Sequence, residues 1–320
     1  MSPPPLSTDV KKRIAYELHK PARLRYPRRP IIVLGFRDLI QSDLVDLSRY
    51  AAENKNYKFL LTAICCFSKF AWCRPLKNKG AMEVALAMRS IFEEPGREFL
   101  KPPRFLQVDR GGEFYSATFE KMLRQFNVQM YSVHSNMKAS ICERFNRTLK
   151  NLMFKEFSAR NTYNWVDMLD ELVERYNNSY HRTIKMAPAN VTEQDEERLQ
   201  EIHLANRLSV QRGPVKFRVG DWVRISGIKG VFTKSYYPLW STKLFKITEV
   251  CNTRPVTYKL QDYHGRPVLG GFYNEEISKT NYPGVYLVER VLKRRGRKVL
   301  VKFLGFDDSE NAWIPARDVA

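Results

Sequence analysis

The sequence has no apolar run long enough to cross a membrane. Its longest run, FLLTAICCF, stops at Phe67, far short of the roughly 20 residues that a membrane-spanning helix needs. The N-terminal residues MSPPPLSTDVKKR lack the apolar segment of a secretory signal peptide. We therefore expect neither a membrane partner nor secretion.

Cysteine and histidine are scarce, and their spacing excludes two more classes of protein. The five cysteines and five histidines form no C-x-x-C or H-x-x-x-H pair, so a structural zinc site is not expected. The cysteines are odd in number, and Cys65, Cys66 and Cys73 share one apolar segment. This pattern is typical of reduced core residues in an intracellular protein, not of a disulfide framework.

Acidic residues are too few to balance the basic ones. Lys and Arg number 54 against 34 Asp and Glu, which gives a net charge of +20. Such an excess favours a polyanionic partner, because each neutralised phosphate releases condensed counterions. On composition alone, a basic but inert protein such as a ribosome-associated one is the alternative. With 43% hydrophobic residues, the chain can bury sizeable cores and is not disordered.

Five segments of different composition follow one another, as expected for two or three domains in 320 residues. Residues 1–37 are basic and Pro-rich, which indicates an extended arm that orders on a polyanion, or a solvated linker. Residues 38–192 alternate strand-like and helix-like patterns, and residues 193–214 indicate a charged helical linker. Residues 215–280 are typical of a small antiparallel barrel, and residues 281–320 contain two strands and then a helix start.

The pattern of residues 38–192 predicts an α/β domain. Three strand-like runs are followed by a helix, a strand, a helix, a strand and two long helices. The first helical run, KGAMEVALAMRSIFEE, stops at a Pro-Gly pair. This order predicts a mixed sheet flanked by helices.

Three carboxylates in this domain are candidate metal ligands. Asp43 lies mid-strand, where an acid among apolar neighbours is costly unless it binds something. Asp109 ends the strand RFLQVD, and Glu143 begins a helical pattern. Acids that converge from such elements hold hard divalent cations, and two Mg²⁺ ions about 4 Å apart promote an in-line displacement. Taken singly, such an acid more often caps a turn or pairs with an arginine.

The motifs QSDLVDL, LQVDRGGEF, SICERFNRTLKNLM and HRTIKMAPANVT occur in that order and together resemble the catalytic core of a retroviral-type integrase. Their sequence pattern is most similar to that of integrases from Maverick/Polinton and Ty3/Gypsy-like elements. The resemblance covers about residues 38–192. It implies an RNase H-like fold with a mixed five-stranded sheet. It also implies that two Mg²⁺ or Mn²⁺ ions are held by Asp43, Asp109 and Glu143.

Two details bear on this triad. Asp46 is a rival for the first position, but strand alternation puts it on the opposite face from Asp43, and the Q-x-D pattern favours Asp43. Between Asp109 and Glu143 lie 33 residues, close to the usual spacing of the family.

Two features depart from the family. Cys65 stands where the family often has an acid, outside the triad. The His/Cys zinc domain that usually precedes the core is not visible, since only His19 and no cysteine lies upstream. We expect either a truncated form or one in which the basic arm substitutes.

Basic residues beside and beyond the core are candidate DNA contacts. Arg147 lies one turn after Glu143 and Lys150 follows at i+7; the resemblance implies that both touch the DNA end, and a solvated helix face is the alternative. Residues 215–280 resemble the SH3-like C-terminal domain of the same integrases, which implies sequence-independent DNA binding. The candidate residues there are Arg218, Arg224, Lys229 and Lys234.

The tail VYLVERVLKRRGRKVLVKFLGFDDSENAWIP resembles a chromodomain. The resemblance implies a cation–π cage for methylated lysine, built from Tyr286, Phe303 and Phe306 with Glu310 at the acidic position. Phe303 stands where the family usually has Trp, the stronger cation–π partner. Histone tails or chromatin are therefore candidate partners, and a module kept only for packing or general chromatin contact is the alternative.

The combined resemblance implies a transposon or retroelement integrase in the nucleus. It would catalyse metal-dependent 3′-end processing and DNA strand transfer as a homo-oligomer, with element ends and target DNA as partners. The rival is a host-domesticated, non-catalytic DNA- or chromatin-binding protein derived from such an integrase. A plain nuclease on the same fold is disfavoured by the two appended binding modules.

Overall fold

A computed structural model describes residues 8–23, 25–109, 111–132, 139–227 and 237–319. The chain forms two compact units. The core unit comprises Pro30–Ser209, and the terminal unit combines Met1–Arg29 with Val210–Ala320. No helix among the described residues is both long and apolar enough to cross a membrane.

The described residues contain six α-helices, one in the terminal unit and five in the core unit. The terminal unit has α1 (Thr8–His19). The core unit has α2 (Ala81–Glu93), α3 (Ala117–Gln125), α4 (Ser140–Arg160), α5 (Leu169–Asn177) and α6 (Glu196–Leu208). The Ser116 hydroxyl caps α3 by accepting the amide of Phe119 at 3.2 Å, and α4 ends at Asn161 in the left-handed conformation.

The core unit is built on one mixed sheet of five strands, as predicted. The strands are β1 (Leu39–Asp46), β2 (Phe59–Cys65), β3 (Ala71–Leu76), β4 (Phe105–Gln107) and β5 (Gln129–Tyr131). They run in the order β3-β2-β1-β4-β5. The first three pair antiparallel, whereas β4 pairs parallel with both β1 and β5.

Both faces of this sheet are covered by helices, and β2 consequently buries side chains on either side. Leu61 and Ala63 belong to an apolar cluster with residues of α2 and α3. Leu60 and Ile64 belong to a second cluster with residues of α4 and α5. Period-two alternation of a strand buried on both faces gives this division. Cys65, Cys66, Cys73 and Cys142 are buried free thiols within these layers.

Helix α6 differs from the predicted charged linker. Leu199 is fully buried in the first apolar cluster, and the His203 ring stacks on Phe67 with 5.0 Å between ring centroids. The core unit consequently extends to Ser209 instead of ending at residue 192. A narrow apolar stripe in an otherwise charged helix suffices to dock it on the core.

The terminal unit contains two antiparallel sheets. The larger one, here called the five-stranded terminal sheet, has the order β10-β6-β7-β8-β9. Its strands are β6 (Trp222–Ile225), β7 (Phe245–Cys251), β8 (Thr257–Asp262), β9 (Pro267–Tyr273) and β10 (Ile277–Lys279). The smaller one, here called the tail sheet, has the order β11-β12-β13 and consists of Val288–Arg295, Lys298–Phe303 and Ala312–Pro315. The residues around the end of DDSENAW form β13, which pairs with β12, and the predicted helix start after it is a short 3₁₀ helix, Ala316–Asp318.

The N-terminal segment is not the extended arm that its composition indicated. Residues Thr8–His19 form α1, which buries Ile14 and Leu18 in the terminal unit. The backbone amides of Leu239 and Trp240 both donate to the carbonyl of Leu18, at 2.8 and 3.1 Å. The prediction is therefore wrong for these residues, because an apolar stripe at four-residue spacing outweighs the surrounding basic composition.

Candidate active site

The first two candidate ligands lie just beyond the paired part of two neighbouring parallel strands. Gln41 of β1 lies opposite Gln107 of β4 in the parallel register. Asp43 and Asp109 each lie two residues further along their own segments. Because parallel strands point the same way, both carboxyl-bearing residues lie towards one edge of this strand pair.

A buried amide joins these two strands to the helix that carries the third candidate. Gln41 is fully buried, and its Nε2 donates to Oε1 of Gln107 at 3.0 Å. Its Oε1 accepts the backbone amides of Ile141 and Cys142, at 2.9 and 3.0 Å, in the first turn of α4. Gln41 thus ties together the three elements that carry Asp43, Asp109 and Glu143, and satisfies two helix-end donors.

Asp43 and Glu143 line one groove on the surface of the core unit. The groove is also lined by Asn146, Arg147 and Lys150. Nδ2 of Asn146 donates to Oδ2 of Asp43 at 2.9 Å, which fixes the carboxylate against α4. Oδ1 of Asn146 is buried with no hydrogen-bond partner among the described residues. An orphaned acceptor beside a carboxylate is a feature that a cation would satisfy.

Asp46, the rival for the first position, lines the same groove, but its carboxylate is hydrogen-bonded to its own turn. Its Oδ1 accepts the backbone amide of Ser48 at 2.8 Å and the Ser48 hydroxyl at 2.6 Å. These hydrogen bonds lower the pKa of the Asp46 carboxyl. Asp46 therefore caps its own turn, whereas Asp43 contacts the helix of Glu143.

The donor chemistry of the groove fits a hard divalent cation. Carboxylate oxygens of Asp43 and Glu143 and the amide oxygen of Asn146 are the ligand type that Mg²⁺ and Mn²⁺ prefer. No three acidic, histidine or cysteine side chains in the described ranges are close enough together to form a metal site. The structure brings Asp43 and Glu143 to one groove and places Asp109 on the neighbouring strand end.

The predicted DNA-binding residues fall into four groups, of which buried Arg224 is the last. Arg147 and Lys150 are exposed on α4 and share the groove with the carboxylates. Arg218 is exposed in the terminal unit. Lys229 and Lys234 lie outside the described residues.

Arg224 is a correction to the predicted DNA-binding set. Its side chain is only 2% exposed. Nη1 donates to the carbonyls of Ser241 and Thr242, at 2.9 and 3.1 Å, and Nε pairs with Glu17 of α1 at 3.4 Å. Burial lowers the pKa of its guanidinium. The prediction that Arg224 contacts DNA is wrong, since this cation ties β6 to α1.

The predicted methyl-lysine cage residues do come together. Ring centroids of Tyr286, Phe303 and Phe306 lie 5.1 to 6.2 Å apart. Tyr263, which the sequence did not single out, adds a fourth ring 5.5 Å from that of Phe306. The Lys243 ammonium lies 5.5 Å from the Phe306 centroid, so an internal cation already contacts this aromatic cluster.

The acidic position of the cage is also engaged internally. Oε1 of Glu310 accepts the Tyr263 hydroxyl at 3.0 Å and lies 3.0 Å from Nε2 of His264. Both partners lie in the turn that follows β8. Methyl-lysine binding stays a prediction.

The comparisons with known proteins agree with this architecture. No protein-family model matches the chain. The chain is 34% identical over 199 residues to a putative uncharacterized transposon-derived protein of Caenorhabditis elegans, covering 62% of this chain and 65% of that protein. It is 24% identical over 143 residues to the retrovirus-related Pol polyprotein from transposon 297 of Drosophila melanogaster, covering 44% of this chain and 13% of the polyprotein. The chain thus spans less than two thirds of either relative.

Among solved structures, the chain is similar to the simian T-cell lymphotropic virus intasome in complex with PP2A regulatory subunit B56 gamma. The TM-score is 0.51 at 16% identity, over 86% of this chain and 92% of that one. A core-domain structure of HTLV-2 integrase in complex with magnesium matches 49% of this chain and 97% of its own, with a TM-score of 0.41 at 17% identity. The chain therefore has an integrase-like fold, and its sequence relatives are transposon-derived and retrovirus-related proteins.

Proposed function

We propose that this protein is a transposable-element integrase that catalyses metal-dependent 3′-end processing and DNA strand transfer. The observation that carries the proposal is the Gln41 hydrogen-bond network. This network ties the strands of Asp43 and Asp109 to the first turn of α4, which bears Glu143. The chemistry needs three carboxylates held by rigid elements, and a DNA-binding protein without catalysis would not need them.

Asp43, Asp109 and Glu143 are the proposed metal ligands. Oδ1 of Asn146, which is buried without a hydrogen-bond partner among the described residues, is a further candidate ligand. A pair of Mg²⁺ ions, when bound, supplies positive charge that stabilises the attacking and leaving oxygens of an in-line displacement. The amide of Asn146 orients Asp43. Arg147 and Lys150, in the same groove, would bind the phosphates on either side of the scissile bond.

The proposed reaction has two displacement steps with no covalent enzyme intermediate. Water first attacks a phosphodiester near the element end, so that a short piece leaves and a 3′-hydroxyl remains. That 3′-hydroxyl then attacks a phosphodiester of target DNA, which joins the two and releases a target 3′-hydroxyl. Two element ends react in concert, so we propose a homo-oligomer that acts in the nucleus on element ends and target DNA.

Strand transfer in vitro tests this proposal. The chain is incubated with Mg²⁺ or Mn²⁺, a labelled duplex carrying the cognate element end, and a plasmid target. We expect Asp43→Asn, Asp109→Asn and Glu143→Gln each to abolish joining, because each removes a ligand charge. Asp46→Asn, which removes an acid from the same strand that bonds only to its own turn, should retain joining.

The rival function is a non-catalytic DNA-binding protein derived from an integrase. It is favoured by the absence, among the described residues, of three metal-binding groups already close together. Tight, salt-sensitive DNA binding without any joining of the correct end would support this rival and refute the integrase.

A further inference from the structure

The tail sheet has an outward face that its chromodomain resemblance does not explain. On β12, Val299 and Val301 are buried, so the alternate residues Lys298, Leu300 and Lys302 point outward. Residues directly opposite one another on paired strands share a face. The register therefore adds Arg290, Lys293 and Arg295 from β11 and Trp313 and Pro315 from β13 to the outward face.

The five cations on this face differ in their acidic partners. Lys302 pairs with Asp308 at 3.2 Å. No ion pair joins Lys293, Arg295 or Lys298 to a carboxylate within the part of the chain that the structure describes, and all three are exposed. Three like charges on neighbouring strand positions repel one another, and a bound polyanion would relieve this repulsion.

An exposed indole lies in the same face. Trp313 is 44% exposed and sits opposite Leu300, which in turn sits opposite Lys293. The adjacent row is Arg295, Lys298 and Pro315. Since neighbouring strands are about 4.8 Å apart, the indole lies within two strand spacings of the unpaired cations. An exposed aromatic beside a row of cations is the arrangement that binds an unpaired nucleotide.

We propose that the outward face of the tail sheet binds single-stranded DNA. Lys293, Arg295 and Lys298 bind the phosphates, and Trp313 stacks on an unpaired base. The face is separate from the aromatic cluster of Tyr286 and Phe306, which lies with the buried side of the module. The proposal rests on DNA as the proposed substrate but not on chemistry at the carboxylates.

A single strand fits this face better than a duplex or an acidic peptide. A duplex presents phosphates to the cations but keeps its bases stacked, which leaves the indole without a role. An acidic peptide likewise uses only the charges. Base–aromatic stacking uses the apolar centre formed by Trp313 and Leu300, and it tolerates any base sequence.

The test is fluorescence anisotropy of the full chain with a labelled single-stranded oligodeoxynucleotide, in EDTA so that no cleavage occurs. We expect Trp313→Ala to weaken binding about tenfold, with Trp313→Phe intermediate. On an oligonucleotide of abasic sites, Trp313→Ala should bind as the wild type does. Circular dichroism shows whether each variant folds.

The triple variant Lys293→Gln/Arg295→Gln/Lys298→Gln tests the phosphate contacts. We expect the slope of log affinity against log salt to fall by about 2, since each phosphate contact on a single strand contributes about 0.7. The control Lys55→Gln/Arg89→Gln/Arg124→Gln removes the same charge from core-unit residues that pair with acids. It should leave the slope unchanged.

Three results would overturn the proposal. One is a Trp313→Ala chain that binds the single strand as tightly as wild type. Another is equal weakening of duplex binding by the indole variant, and the third is competition by poly-glutamate as strong as by DNA. Asp109→Asn should bind the single strand normally, so loss of joining with intact binding separates this proposal from the catalytic one.

Discussion

Gln41 is a residue whose role follows from burial and hydrogen-bond capacity alone. A glutamine amide has one acceptor oxygen and a donor nitrogen, and Gln41 uses both, on β4 and on α4. Its position two residues before Asp43 puts this network directly behind the groove. Gln41 is thus a positioning residue for the proposed metal ligands.

Replacement of Gln41 should therefore cost both stability and metal binding. Gln41→Leu leaves the Ile141 and Cys142 amides buried without an acceptor, and the Gln107 oxygen keeps only the Tyr131 hydroxyl, at 3.5 Å. We expect this to cost about 2–4 kcal/mol of unfolding free energy. Mn²⁺ affinity, measured by calorimetry, should fall because the three ligand-bearing elements are no longer tied together.

Ser42→Ala is the matched control. Ser42 is buried on the same strand, but its hydroxyl donates only to the Thr62 carbonyl, at 2.7 Å. We expect a loss of about 1 kcal/mol and unchanged Mn²⁺ affinity. A Gln41→Leu chain with wild-type metal affinity would show that Gln41 is merely structural.

At the scale of elements, the sequence predicted the core sheet and its helices well because their signals are local. Alternation, helical periodicity and the Pro-Gly stop each lie within one run of residues, and the strands and helices of the core occur in the predicted order. α1 and α6 were misjudged, since both are charged helices with narrow apolar stripes. What docks them is a partner surface far away in sequence, such as Phe67 for His203.

The docking of α6 should make the core unit sensitive to acid. Burial lowers the pKa of His203 to about 4. The carbonyl of Phe67, 3.0 Å from Nε2, accepts a hydrogen bond from the neutral ring. The unfolded chain takes up a proton near pH 6.5 whereas the folded chain does not. Stability from this ring is thus fully present above pH 6.5 and is lost as pH falls towards 4.

Urea unfolding at pH 7 and pH 5 measures this effect. Between pH 7 and pH 5, the wild type should lose about 2 kcal/mol more unfolding free energy than His203→Asn does. The reason is that pH 5 lies about 1.5 units below the pKa of histidine in the unfolded chain. Equal losses in the two chains would contradict a depressed pKa for His203.

At the scale of the whole molecule, residues from both ends of the chain build the terminal unit. Glu17 of α1 accepts the Thr280 hydroxyl at 2.7 Å and pairs with Arg224. The same separation explains what sequence reasoning missed there. Arg224 resembles any exposed strand cation until Glu17 is known to face it, and Tyr263 and Lys243 meet the aromatic cluster only through the fold. The candidate metal ligands could be singled out from the sequence because each has a local signal: Asp43 is an acid inside an apolar strand, Asp109 follows a strand and Glu143 begins a helix.

Truncation of one apolar side chain in α1 should therefore loosen sheets more than 200 residues away. Leu18→Ala removes a buried side chain, and we expect the terminal unit to lose about 2–5 kcal/mol. Amide hydrogen exchange should accelerate in β6 and β10, with the core unit unchanged.

Tyr16→Ala, on the same helix, is the control, since Tyr16 is 77% exposed. It should leave the exchange of every strand as in the wild type. The dependence of the terminal unit on α1 is refuted if Leu18→Ala also changes nothing.

The hydrogen bond between Glu17 and Thr280 also sets an order of events during synthesis. These residues are 263 positions apart, which at roughly 5–20 residues per second corresponds to about 13–53 s of translation. Throughout that interval the basic helix has left the ribosome without its binding site, while the whole core unit can fold in between. Nascent α1 therefore spends this time as an exposed cationic, amphipathic segment, and it docks only after the whole core unit has been synthesised.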